Sequence, residues 1–150
     1  MKNKMKKQSG FTLIELVIVI VVLGILASFA VPKFGNLVER ARIAKVEALS
    51  GAVKSAATIA HAQQLAEQVA HDADTTMNGT AITMENRYPD DSAIADTLAE
   101  FDSFTFDGAG VFTLDNAGDA GDGSNCSVTY VPAAALGESP TVTTDITDCK

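Results

Sequence analysis

Apolar residues form one continuous block near the start of the chain. Residues 11–31 are almost entirely apolar, and Thr12, Glu15 and Ser28 are the notable polar exceptions. A helix of this length rises about 30 Å, which matches the hydrocarbon core of a bilayer. The pattern therefore predicts a membrane-spanning helix.

A second helical pattern follows this block and predicts one helix from residue 11 to about residue 70. Residues 33–71 are rich in Ala, Leu, Glu, Lys and Arg, which favour helices. Pro32 and Gly35 interrupt the pattern, so we expect a kink or local unwinding there. Small apolar residues recur at helical spacing, and we expect this face to pack against a sheet or another helix. The face consists of Leu37, Ala41, Ala44, Ala48, Ala52, Ala56, Ile59 and Ala60.

Turn-forming residues end the helical pattern. The segment Thr-Met-Asn-Gly-Thr at 76–80 closes it, and Arg-Tyr-Pro-Asp-Asp at 87–91 indicates a loop. Residues 92–100 are consistent with a short helix. The long helix is therefore expected to give way to a region of different structure.

The last third of the chain alternates in the manner of strands. Aromatic and polar residues alternate over 104–115 around Asp-Gly-Ala-Gly at 107–110, which predicts a hairpin. Residues 127–131 and 141–146 are rich in Thr and Val and predict two more strands. The sequence thus predicts an α+β fold in which a long N-terminal helix packs on a small antiparallel sheet.

The charges are segregated along the 150 residues. The net charge is −8, yet the first ten residues carry four Lys and no acid. Residues 55–150 carry 16 acids against only Arg87 and Lys150. The positive-inside rule places the N-terminus in the cytoplasm and the acidic remainder outside. An acidic surface also argues against a general nucleic-acid binder, so we expect no nucleic-acid partner.

A cleavable secretory signal is the first alternative for the N-terminus. Ser28-Phe29-Ala30 offers a small-x-small pattern for a signal peptidase. However, the apolar run is longer than a usual signal core and contains Glu15. A carboxylate in lipid is costly unless it is paired or neutralised, and a disposable signal has no use for that cost.

Residues 8–34, QSGFTLIELVIVIVVLGILASFAVPKF, resemble the N-terminal segment of type IV pilins and related pseudopilins, in particular the type IVa subgroup. The resemblance implies that a prepilin peptidase cleaves after Gly10 and methylates Phe11. It also implies that the Glu15 carboxylate pairs with the new amine, of its own chain or of a neighbouring subunit, during filament assembly. Residues 31–62 and 87–91 are similar to major pilins of the mannose-sensitive haemagglutinin class.

The resemblance divides the chain into three parts. Residues 1–10 are the leader, 11–35 the transmembrane and polymerisation helix, and 36–150 an extracytoplasmic head that includes the second half of the long helix. The implied precursor lies in the inner membrane, and the mature form lies in an extracellular pilus on a Gram-negative-type cell surface. A C-terminal loop closed by a disulfide is also implied.

The implied role is structural, with no enzymatic activity and no cofactor. The subunits polymerise with copies of themselves for adhesion, biofilm formation and retraction-driven motility. The implied partners are the prepilin peptidase, the assembly platform with its ATPases, and the secretin. One alternative is a pseudopilin of a type II secretion system, and another is a membrane-anchored enzyme or binding protein.

Two cysteines, Cys126 and Cys149, are the only ones in the chain. Disulfides persist outside the cytoplasm, and a bond between them would close a loop of about 24 residues, worth roughly 3 kcal/mol. The alternative is two free thiols.

The chain holds few candidate metal ligands, and we expect no metal site. Asp115, Asp119 and Asp122 suit Ca²⁺ by chemistry but lack EF-hand spacing, so a solvated acidic loop is the favoured interpretation. His61 and His71 lie ten residues apart and do not share a helix face in the way that a metal pair needs.

Overall fold

The computed structural model describes residues 10–115 and 126–149, with only the backbone described at Pro32, Phe34 and Gly35. The chain divides into two compact units, Met1–Leu37 and Val38–Lys150. The predicted leader and the acidic loop residues from 116 to 125 lie almost entirely outside the described residues.

One helix, α1, spans Leu13–Glu67. Its early start agrees with the predicted helix, and its end lies three residues before the predicted end. Gln68, the first residue after the helix, has a left-handed backbone (φ 55°). Residues 32–35 lie within the continuous helix, although Pro32 has no N–H to donate. No local unwinding is therefore seen at Pro32 and Gly35, and a kink there stays a prediction.

The second unit places the later part of α1 beside eight short strands and a 3₁₀ helix, Ile94–Thr97. The strands are β1 Thr75–Met77, β2 Thr80–Ile82, β3 Met84–Glu85, β4 Tyr88–Pro89, β5 Phe104–Phe106, β6 Val111–Leu114, β7 Ser127–Val131 and β8 Thr141–Asp145. The last four strands form one antiparallel sheet in the order β5-β6-β7-β8. The predicted α+β class, the 104–115 hairpin and the two later strands are confirmed.

The first four strands form two hairpins where the sequence predicts only turns and loops. The β1–β2 turn is Asn78-Gly79, and both residues have positive φ (49° and 85°). The β3–β4 turn is Asn86-Arg87, with φ of 50° and 74°. An Asn-Gly pair between strands is a strong hairpin signal, so the first hairpin was open to prediction. The loop interpretation of 87–91 holds at Arg87, which lies in the turn, and is wrong at Tyr88 and Pro89, which form β4.

The main hydrophobic core lies between α1 and the four-stranded sheet. The helix contributes Val46, Leu49, Val53 and Ala57, all buried, and the sheet contributes residues such as Phe112. A smaller cluster joins the helix to the hairpins and the segment after them. It consists of Ala60, Ile82, Met84 and Ala93.

The predicted buried face of α1 is wrong at most of its positions. Ala56 and Ala60 are buried, but the other members of the face are exposed. The exposed members are Leu37, Ala41, Ala44, Ala48, Ala52 and Ile59. The helix instead turns Val46, Leu49 and Val53 toward the sheet. These larger side chains remove more apolar area from water than alanines do.

Candidate functional site

The start of α1 is organised by a reciprocal contact between Thr12 and Glu15. The backbone N–H and the hydroxyl of Thr12 donate to Glu15 Oε2 at 2.9 and 2.7 Å. The backbone N–H of Glu15 donates in return to Thr12 Oγ1 at 3.3 Å. This is a capping box, which satisfies N–H groups that have no partner within the helix. The carboxylate therefore has a structural partner, and its pairing with the amine of Phe11 stays a prediction.

Gly10 lies two residues before Thr12 and is exposed. A Cβ at this position would meet no atom within 4 Å, and the backbone does not adopt a positive φ. The fold of the described residues therefore does not require glycine here. The predicted peptidase needs close access to the backbone at Gly10, and the open space around this residue agrees with that prediction.

The apolar part of α1 offers its side chains outward on all sides. The helix is long and apolar enough to cross a membrane by length and composition, and none of its most apolar 18-residue window is buried. Phe11, at the start, is 90% exposed. The hydroxyl of Ser28 donates to the carbonyl of Ile25 at 2.7 Å, so this polar group is satisfied within the helix. Such a surface calls for lipid or for other apolar helices around it.

The head is closed by a disulfide bond between Cys126 and Cys149, with an S–S distance of 2.04 Å. Both residues are buried, at 0% and 1% exposure. The bond joins the residue before β7 to the segment after β8, so it closes the open end of this antiparallel pair, where Ser127 is opposite Asp145. The predicted disulfide is confirmed.

The carboxylates near the β5–β6 hairpin accept hydrogen bonds from groups of the hairpin itself. Asp107 Oδ1 accepts from the N–H groups of Ala109 and Val111 at 2.7 and 3.0 Å. Asp115 Oδ1 accepts from the Thr105 hydroxyl at 2.7 Å. Within residues 10–115 and 126–149, no three His, Cys, Asp or Glu side chains form a metal-binding group. Asp119 and Asp122 lie outside the described residues.

The two histidines have separate partners. The ring of His61 stacks on Tyr88, with centroids 4.4 Å apart and planes 8° from parallel, and its Nδ1 lies 2.8 Å from the Arg87 carbonyl. His71 Nδ1 lies 2.6 Å from Asp72 Oδ1. Sequence reasoning missed the contact of His61 with the β3–β4 turn, because the residues are 26 positions apart and no local pattern links them.

One buried tyrosine ties the sheet to the small hairpins. Tyr130 on β7 is 1% exposed, and its hydroxyl donates to the Pro89 carbonyl on β4 at 2.7 Å. Burial raises the pKa of this phenol above its ordinary value. The Gly110 carbonyl accepts from the Tyr130 N–H at 2.8 Å, so the turn before β6 also meets β7 here.

The chain matches a known family and known proteins. Residues 5–31 match the family described as the prokaryotic N-terminal methylation motif. A fimbrial protein of Dichelobacter nodosus is 32% identical over 133 residues, which cover 87% of this chain and 72% of that protein. No solved structure shows a significant match.

Other relatives match a shorter part of the chain. The type IV narrow pilus major component PilA5 of Thermus thermophilus is 53% identical over 57 residues, covering 38% of this chain and 49% of that protein. A fimbrial protein of Pseudomonas aeruginosa is 43% identical over 53 residues, covering 35% of this chain and 34% of that protein. The matched part of the chain thus spans about half, or less, of the length of such relatives.

Proposed function

We propose that this chain, which belongs to the type IV pilin family, is the subunit of a type IV pilus and polymerises with copies of itself. The observation that carries the proposal is the apolar first part of α1, whose most apolar window is not buried by any of the residues that the structure describes. In the membrane, lipid covers this surface. In a filament, the same surface of other copies takes the place of lipid. The role is structural, with no catalytic step.

Processing is proposed to occur between Gly10 and Phe11. The methylation motif over residues 5–31 supports it, and so does the open space around Gly10. Cleavage there by a prepilin peptidase removes the four leading lysines and leaves the apolar helix attached. The new N-terminus is then a methylated, cationic amine on Phe11, one turn away from Glu15.

Glu15 is proposed to recognise that amine, either in the same chain or in a neighbouring one. It is the only ionisable residue from 11 to 31, and an unpaired carboxylate among apolar helices is costly. The capping bonds from Thr12 occupy one carboxylate oxygen, Oε2. The other oxygen, Oε1, is left for the amine, so the two interactions are compatible.

Several finer features remain part of the proposal. The subunit belongs to the mannose-sensitive haemagglutinin class, and its filament serves adhesion, biofilm formation and retraction. The precursor resides in the inner membrane of a Gram-negative-type cell and uses an assembly platform, ATPases and a secretin. The similarity of residues 31–62 and 87–91 to pilins of that class supports these assignments.

A pair of glycine substitutions tests the processing step. Gly10→Ala should leave an unprocessed precursor and no surface filaments, whereas Gly24→Ala should be processed normally. Both positions have open space for a Cβ, so neither change strains the fold itself. N-terminal sequencing and intact mass of the protein, from the membrane fraction and from sheared filaments, provide the measurement. Mature protein that begins at methylated Phe11 in the Gly10→Ala strain would refute the assignment.

A second pair of substitutions separates the two contacts of Glu15. Glu15→Ala removes the cap and the proposed amine partner, whereas Thr12→Ala removes only the side-chain half of the cap. We expect both variants to be processed, and only Glu15→Ala to lose most of its filament yield in a shearing assay. Equal losses in both variants would mean that Glu15 acts through capping alone.

A further inference from the structure

A pocket of about 380 Å³ opens on the head where three segments that are distant in sequence meet. Helix α1 contributes His61 and Leu65, the β3–β4 turn contributes Arg87, and the loop before β8 contributes Glu138 and Ser139. Its volume lies within the range of small-molecule sites. None of its lining residues belongs to the apolar block of residues 11–31, to which the proposed function is assigned.

The turn that carries Arg87 is held on both sides. The Arg87 N–H donates to the His71 carbonyl at 2.9 Å, and the Arg87 carbonyl lies 2.8 Å from His61 Nδ1. The Asn86 side chain donates to the Ala133 carbonyl at 2.8 Å. Arg87 itself has φ of 74°, which residues with a Cβ rarely adopt. Strained positions that their surroundings hold in place are concentrated at ligand sites.

The guanidinium of Arg87 has no partner among the described residues. No hydrogen bond or ion pair of its side chain occurs within 10–115 and 126–149. Arg87 is nevertheless the only Lys or Arg from 55 to 149, a segment with 16 acids. It is half-buried and lines the pocket. Among the described residues the pocket therefore presents a cation without a partner, and the planar fork of arginine matches a carboxylate.

The remaining polar groups of the pocket favour hydroxyl groups as partners. A carbonyl oxygen only accepts, so His61 Nδ1 carries the hydrogen in its bond to Arg87, and Nε2 of the neutral ring is an acceptor. Stacking on Tyr88 fixes the ring. The Glu138 carboxylate is a second acceptor, and the Ser139 hydroxyl both donates and accepts.

We propose that this pocket binds an acidic monosaccharide of the uronic acid class. Its carboxylate accepts from Arg87, and its hydroxyls meet His61 Nε2, Glu138 and Ser139. The C–H face of the sugar ring lies against the apolar wall that includes Leu65. A neutral sugar has no charge for Arg87, and an inorganic anion brings no hydroxyl array for the two acceptors.

Ligand binding is tested on the full-length chain in detergent micelles. Saturation-transfer NMR titrations use glucuronate, with glucose as a comparison ligand. Inorganic phosphate has no carbon-bound proton, so its affinity is measured by its competition with glucuronate. We expect glucuronate to bind about 10-fold or more tightly than either comparison ligand, as one charge-assisted bidentate contact predicts. Equal binding of glucose, equal binding of phosphate, or no binding of glucuronate at millimolar concentration would each overturn the proposal.

Charge-matched variants locate the binding. Arg87→Gln should weaken glucuronate about 10-fold or more, and Arg87→Lys should weaken it less because the charge remains. Arg40→Gln makes the same charge change at an exposed position of α1 outside the pocket, and should leave affinity unchanged. Wild-type affinity in Arg87→Gln would overturn the assignment, as would equal losses in Arg87→Gln and Arg40→Gln.

A further variant covers the case in which Arg87→Gln fails to fold. His61→Phe keeps an aromatic ring against Tyr88 and removes both nitrogens, so it should fold and bind glucuronate more weakly. Unchanged affinity in that variant would contradict the proposal. The titrations use unassembled protein, so their outcome is independent of filament formation.

Discussion

Gly110 lies where the β5–β6 turn meets β7, and a single methyl group there is expected to be severely destabilising. A Cβ on Gly110 would lie 2.3 Å from the Tyr130 carbonyl oxygen, a distance that real Cβ atoms do not reach. The backbone is also left-handed, with φ of 85°, which costs an L residue about 1 to 2 kcal/mol. Relief of the clash requires the turn to move away from β7 and weakens the 2.8 Å bond from the Tyr130 N–H to the Gly110 carbonyl.

The total cost of Gly110→Ala is therefore about 3 to 5 kcal/mol, from backbone strain, overpacking and a weakened hydrogen bond. Gly108→Ala is the matched control, because Gly108 has φ of 83° in the same turn but open space around its Cβ. Gly108→Ala should be destabilised by the backbone strain alone, which is about 1 to 2 kcal/mol. The difference between the two variants isolates the contact with β7.

The assay is urea unfolding of the unit from Val38 onward, with its disulfide intact, followed by far-ultraviolet circular dichroism. That unit contains both hydrophobic clusters, so we expect it to fold alone. In thermal unfolding, each kcal/mol corresponds to about 4 °C for a unit of this size. Equal destabilisation by the two substitutions would refute the reasoning, because it would leave no effect for the contact with Tyr130.

Two other changes to the head have defined outcomes. Reduction of the Cys126–Cys149 disulfide should lower the free energy of unfolding by roughly 3 kcal/mol, from the loop it closes, and unfolding with and without reductant measures this. A change near zero in the free energy of unfolding would contradict this explanation from loop closure. The pKa of Asp72 lies below its usual range because His71 and then the Asn86 N–H donate to its carboxylate. The Asp72 carboxylate contributes fully to stability at pH values above its pKa in the unfolded state. This contribution is lost as the pH falls through its lowered pKa in the folded state. The stability deficit of Asp72→Asn should thus shrink in acid, and a pH-independent deficit in urea unfolding would contradict this.

Strong local patterns made much of the architecture predictable. A long apolar run and an Ala-rich run predict α1, and alternation predicts β5 and β6, because side-chain periodicity follows directly from backbone geometry. Richness in Thr and Val predicts β7 and β8. The β3–β4 hairpin has strands of two residues, too short to show a period. The buried face of α1 was mispredicted because regular alanine spacing resembles a core stripe, whereas Val46, Leu49 and Val53 gain more from burial.

The proposed processing site and the proposed pocket differ in how close together their residues lie in the sequence. Gly10, Phe11 and Glu15 lie within one short segment, so a contiguous motif was sufficient to find them. The pocket combines His61 with Arg87 and Glu138, which only the folded chain brings together. No spacing in the sequence indicates that these residues belong together. The stacking of His61 on Tyr88 and the geometry of the β3–β4 turn were needed to identify the pocket.

The sharing of α1 between the two units limits how the head can be detached from its anchor. Val46, Leu49, Val53 and Ala57 provide one side of the main core, so the head contains part of the same helix that carries the apolar block. A protease that cuts α1 on the C-terminal side of Val46 would remove core side chains from the C-terminal fragment, and this fragment would unfold. Intact heads shed from cells should therefore begin upstream of Val46 and retain more than five turns of α1.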